Sequence, residues 1–136
     1  MDGTPDQVAQ QIARMHQNWR VATALKPVQG SGSPTFAAED YDRLVDAPVE
    51  MGMFEERAFQ ESGANYRIVV HAHPDDYSMD VLRDMLRKIV AAGVWWMNDR
   101  PFDEYVFIYH FPRGPAGGGM EHAYSTAIDV SADRLK

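Results

Sequence analysis

The chain contains no cysteine. That excludes disulfide frameworks, thiolate metal sites and cysteine nucleophiles, and it leaves the redox compartment unread. No apolar run approaches the ~18 residues that span a bilayer, so no membrane partner is expected. Met1-Asp2-Gly3-Thr4-Pro5 has neither the basic nor the apolar part of a signal peptide. Positive charge is scarce: 13 Lys plus Arg face 20 Asp plus Glu, a formal charge of −7. Such a surface repels phosphate backbones and argues against a nucleic-acid partner. None of the five histidines is followed by glutamate, and none has a histidine four residues on. The His-Glu-x-x-His zinc motif is therefore absent.

What is present is an ordinary globular balance, 45% hydrophobic and 24% charged over 136 residues, enough to bury one core. Thr4-Pro5 reads as a helix cap with proline in the first turn. Val8, Ile12, Met15 and Trp19 follow at helical spacing, which predicts a lead-in amphipathic helix within residues 1–18, over 5–18. The segment 19–136 then forms the compact unit. Residues 20–25 read as a strand, 26–34 as a loop, and 37–45 as a short helix stopped before Pro48. The segment 49–60 reads as one strand with a bulge. It is joined by Ser62-Gly63-Ala64-Asn65 to a clearly alternating strand, Tyr66 to Ala72.

Ser78 or Asp76 caps the longest helix, with Leu82, Met85, Leu86, Ile89, Gly93 and Trp96 on one face and Trp95 beside them. Residues 104–111 are apolar on both faces, as in a central strand. Residues 112–119 read as a loop and 120–130 as a final strand; Ser131-Ala132-Asp133 begins a further helix, so a truncated chain is expected. The fold class is α+β, a mixed sheet of about four to five strands with one long helix packed on a face.

The chemistry concentrates in Gly117-Gly118-Gly119-Met120-Glu121-His122. Three glycines clear one stretch of backbone for close approach, and a carboxylate and an imidazole follow on an alternating segment. A single strand would put Met120, His122 and Tyr124 on one face and Glu121, Ala123 and Ser125 on the other. An extended peptide can add itself to such an edge, with Glu121 pairing with an ammonium. A phosphate cradle fails because a strand, not a helix, follows the glycines. His71 and His73 share a strand face, but with Arg67 beside them and no third ligand beyond Asp75 and Asp76, which read as the start of the helix, they read as a solvated strand end. No metal or cofactor is assigned to this chain. His110 reads as a satisfied, partly buried imidazole. The acids from Asp42 to Glu50 lack the spacing of a Ca²⁺ loop. Ser125, His110 and Asp103 lack the elbow of a serine hydrolase, so no catalytic residue is assigned.

Several segments in order resemble the glycyl aminopeptidase family of zinc metallopeptidases: Trp19 to Leu25, Tyr41 to Gly52, Pro101 to Phe107, and Gly118-Gly119-Met120-Glu121-His122. The resemblance implies the N-terminal part of a thermolysin-like catalytic domain. It implies that Glu121 recognises the free α-amine of a peptide while Gly118, Gly119, Met120 and His122 line its backbone. It further implies that zinc belongs to the parent protein, and that this piece, lacking the His-Glu-x-x-His helix, is inactive alone. The partners it implies are a peptide with a free N-terminus, the remainder of the catalytic domain and, through exposed apolar surface, a second copy of the piece. The alternative is a self-standing, non-catalytic peptide-binding domain.

Overall fold

The fold is seen in a computed structural model that describes residues 18–30 and 33–135. Apart from Asn18, which lies in a turn, the helix expected over 5–18 falls outside the described residues. Two small ribbons come first. β1 (Arg20–Thr23) and β2 (Lys26–Pro27) are followed by β3 (Phe36–Ala37), a short helix Tyr41–Val45, and β4 (Val49–Gly52). β1 pairs antiparallel with β4, and β2 with β3. Asp40 caps the short helix by accepting the Arg43 backbone N–H at 2.7 Å.

A five-stranded mixed sheet follows, built from β5 (Glu55–Glu61), β6 (Ala64–Ala72), β7 (Glu104–Phe111), β8 (Gly117–Glu121) and β9 (Ser125–Val130). Its spatial order is β5-β6-β7-β9-β8, with β6–β7 and β7–β9 parallel and both outer pairs antiparallel. Ser62 and Gly63, at φ 48° and 79°, make the tight turn that joins β5 to β6. Between β6 and β7 runs the long helix Met79–Met97, capped by Ser78 and ended by Asn98 in the left-handed region. This is the α+β architecture expected.

The sheet is buried on both faces because its central strands are apolar on both. On one face Tyr66, Ile68, Val70, Tyr109 and Phe111 pack against Met79, Leu82 and Leu86 of the long helix. On the other, Val69, Val106 and Ile108 meet Ala22 and Phe54 from the N-terminal ribbon region. The ribbon is further tied down by Arg67, which donates to the Thr23 carbonyl.

Five expectations need correction. The segment 49–60 is two strands, not one with a bulge. Gly52, at φ 151°, turns the chain so that β4 joins β1 while β5 joins β6. The helix buries Met79, Leu82 and Leu86, whereas Met85, Ile89, Trp95 and Trp96 are exposed, Trp96 at 82%. The seam against the sheet is narrower than the apolar stripe, so Val81, Met85, Ile89 and Trp96 face outward. Residues 112–130 are not a loop and one strand but the hairpin β8–β9, with the glycines inside β8. Lys26–Pro27, expected in a loop, is a short strand. Residues 132–134 form a single 3-10 turn that Ser131 does not cap through its side chain. No helix among the described residues is long and apolar enough to cross a membrane.

Ile68, 0% exposed at the centre of the helix-facing core, tests this arrangement. Ile68→Ala should cost about 2–5 kcal/mol in urea unfolding, whereas Trp96→Ala should stay within about 0.5 kcal/mol. The reverse order would mean that the helix packs through its other face.

Candidate functional site

β8 is an outer strand. Its residues Gly117, Gly118, Gly119, Met120 and Glu121 pair with Val130, Asp129, Ile128, Ala127 and Thr126 of β9, and all of them are exposed. Conformation does not require the glycines, since none of the three has positive φ. Among the described residues, packing does not require them either. A Cβ on Gly117 or Gly118 would meet nothing within 4 Å, and one on Gly119 would make only an ordinary 3.6 Å contact with Ile128. Glycine in a strand costs roughly 0.5–1 kcal/mol relative to alanine, so the sequence carries that cost without an internal return.

The opposite edge is built differently. β5 carries Glu55, Glu56, Arg57 and Glu61, and is tied to the long helix by Arg57–Asp80 and Arg87–Glu61, each at 3.4 Å. Charges of this kind discourage a further strand from pairing. β8 has no charge before Glu121.

After Glu121 the chain reverses, and His122 N–H donates to the Ser125 carbonyl at 2.9 Å. The reversal undoes the expected alternation of residues 120–125. His122, its side chain 12% exposed, turns to Asp46 (Nδ1 to Oδ1 3.1 Å), while Glu121 stays exposed on the edge. Asp46 Oδ2 also accepts the Ala123 backbone N–H at 2.8 Å. That hydrogen bond, and then the one to His122, holds the Asp46 carboxyl below its ordinary value of 3.8. The Arg43 guanidinium lies 3.9 Å over the Tyr124 ring and donates to the Ala24 carbonyl at 2.6 Å. Burial first, then the Asp46 and Glu121 carboxylates, push the Tyr105 phenol up. Gly118, Gly119, Met120 and Glu121 thus share one edge; His122 sits apart in the turn. Asp46 and Arg43 were not anticipated as partners of this segment, and no sequence signal marks a contact 76 positions long.

A second cluster lies on the ribbon-facing side of the sheet. The strand register sets His71 beside His110 and His110 beside Asp129, whose next neighbour is Gly118. Glu50 reaches in from β4, with Oε1 3.0 Å from His71 Nδ1 and Oε2 2.7 Å from His110 Nε2. His110 Nδ1 lies 3.1 Å from Asp129 Oδ1. His71 therefore converges with His110 and Glu50, not with His73, whose ring accepts the Asp75 N–H at 3.3 Å. The cluster borders an open cleft of about 790 Å³ at the carboxyl ends of β6 and β7. There the buried Asp76 takes Arg113 through two bonds of 2.7 and 3.2 Å.

The grip of Asp46 on the turn is testable. Asp46→Ala should speed amide exchange at Ala123 and along β8 while leaving the long helix unchanged. Because the Asp46 carboxyl is depressed in the fold, its contribution is present above about pH 4. It is lost as pH falls through the lower folded value, so wild-type exchange at Ala123 should approach the variant's only in stronger acid. Equal exchange in both proteins at neutral pH would remove the grip.

Residues 2–53 match the family model of the Peptidase M61 N-terminal domain. No curated protein matches this chain. Among solved structures the chain is similar to the aminopeptidase N family protein from Idiomarina loihiensis, at 27% identity and a TM-score of 0.75. The likeness covers 87% of this chain and 20% of that one, so the chain spans about a fifth of that protein's length. These two likenesses together support a peptidase family for the chain.

Proposed function

We propose that this chain is the part of a zinc-dependent aminopeptidase that holds the substrate. An extended peptide pairs with the free edge of β8, and Glu121 receives its leading ammonium. Gly118 and Gly119 let the peptide backbone approach, Met120 flanks it, and His122 works from below by fixing the turn through Asp46. The observation that carries this reading is the glycine run on an unguarded edge, where neither φ nor internal contact calls for glycine. The peptidase likenesses support the same assignment.

The zinc of such an enzyme would need His-Glu-x-x-His, which does not fit this sequence. No hydrolytic step is assigned to these residues; it belongs to the remainder of the catalytic domain. The outward apolar strip Val81, Met85, Ile89 and Trp96 supports contact with that further polypeptide, or with a second copy in its absence.

Binding of a fluorescent peptide with a free N-terminus tests the reading. Glu121→Gln should weaken binding about 10- to 150-fold, the equivalent of one charge-assisted hydrogen bond, and N-acetylation of the peptide should do the same. Gly118→Val, which crowds the edge, should abolish binding of both peptides. Indifference to acetylation would overturn the role of Glu121. Adding Zn²⁺ and a glycine-led peptide should give no cleavage. Metal-dependent cleavage lost in Glu121→Ala would show that the hydrolytic centre lies within this chain. Light scattering from a clean monomer that binds little apolar dye would favour a self-standing peptide-binding domain.

A further inference from the structure

We propose that Glu50, His71 and His110 form a site for one first-row divalent cation of the zinc type, which fastens the β1–β4 ribbon to the sheet. The candidate ligand atoms of these residues lie within 4.8 Å of one another. Two ligands about 2.1 Å from a tetrahedral ion stand roughly 3.4 Å apart. Glu50 already brings Oε1 to 3.0 Å from His71 Nδ1 and Oε2 to 2.7 Å from His110 Nε2, so each imidazole has a carboxylate oxygen inside that ligand-to-ligand spacing.

The proton count at His110 leaves room for a cation. A neutral imidazole has one N–H, and an ionised carboxylate only accepts. His110 nevertheless faces a carboxylate at each nitrogen, Glu50 at Nε2 and Asp129 at Nδ1. If the Nδ1 proton goes to Asp129, the Nε2 lone pair points at Glu50, acceptor against acceptor. A second ring proton would satisfy both carboxylates; an ion at Nε2 would do so too, and would in addition gather His71, which the other Glu50 oxygen already holds. The Asp129–His110 bond is then the outer carboxylate that commonly orients a metal-binding histidine and raises its basicity.

The donor set selects the ion. Two imidazoles and one carboxylate suit zinc and its neighbours, whereas Ca²⁺ and Mg²⁺ prefer oxygen ligands. The Glu50 side chain is 11% exposed and the His71 side chain 55%. The ribbon thus closes one side of the site, and the other opens into the cleft at the strand ends.

The test is calorimetric titration of the chelator-treated chain with ZnCl₂, with Co²⁺ absorbance as a second probe of nitrogen ligation. A single saturable event with a raised Tm is expected, and Mg²⁺ should not compete. Glu50→Gln, His71→Ala and His110→Ala should each abolish it with the far-ultraviolet circular dichroism unchanged. His73→Ala, in the same cleft, should leave it intact. Asp129→Asn should weaken it about 10- to 100-fold. Should His110→Ala fail to fold, the exposed His71 decides. No saturable event in the wild type, or zinc binding that survives His71→Ala unaltered, would overturn the site. Neither readout depends on peptide binding.

Discussion

The parallel pairing of β6 with β7, in the register Tyr66↔Tyr105 through Ala72↔Phe111, is the constraint on which the rest of the structure depends. Parallel neighbours cannot be joined by a tight turn, so the long helix must cross over, and in crossing it covers one face of the sheet. Both strands are apolar on their second face too, which obliges the N-terminal ribbon to cover Val69, Val106 and Ile108. A slip of one residue would turn every side chain of one strand to the wrong face. It would also part His71 from His110, so burial and the imidazole row are enforced together.

The second layer of organisation comes from residues 43–50. Arg43 stacks on Tyr124, Asp46 holds the β8–β9 turn, and Glu50 joins the two imidazoles. These side chains lie within the segment matched by the peptidase N-terminal domain model, yet each reaches a partner in the sheet or in its β8–β9 turn. The ribbon and the sheet are therefore joined by a short acidic stretch rather than by the chain connection between them alone. A stretch that looks like a solvated turn becomes, in the fold, the anchor for both candidate sites.

How much of this was legible follows from contact distance along the chain. The Ser62-Gly63 turn, the Ser78 cap and the alternation of Tyr66 to Ala72 are local signals, and each element is found where its signal stands. β8 was hidden because glycines have no side chains to alternate, so a strand of three glycines looks like a loop. The helix stripe was read too wide because apolar periodicity says that a face exists, not that a partner covers it; Met85, Ile89 and Trp96 show the difference. Glu50 lies 21 residues from His71 and 60 from His110. Only the sheet register and the ribbon's position bring them together, and neither is written in any one window of sequence.

The two candidate sites are also neighbours through the sheet. Asp129 pairs with Gly118 on β8 and faces His110 from the same strand position. Charge on His110 therefore sits two strand spacings from the edge proposed to receive a peptide. With Asp129 and Asp46 nearby and Glu121 at the strand's end, the edge lies in a field that favours an ammonium over a carboxylate terminus. That field acts over roughly a Debye length, about 8–10 Å in ordinary salt, comparable to the two strand spacings from β7 to β8. A cation held by Glu50, His71 and His110 would weaken that attraction without touching the peptide. Occupancy of one site would thus bias the other through charge alone, with no movement of the backbone required.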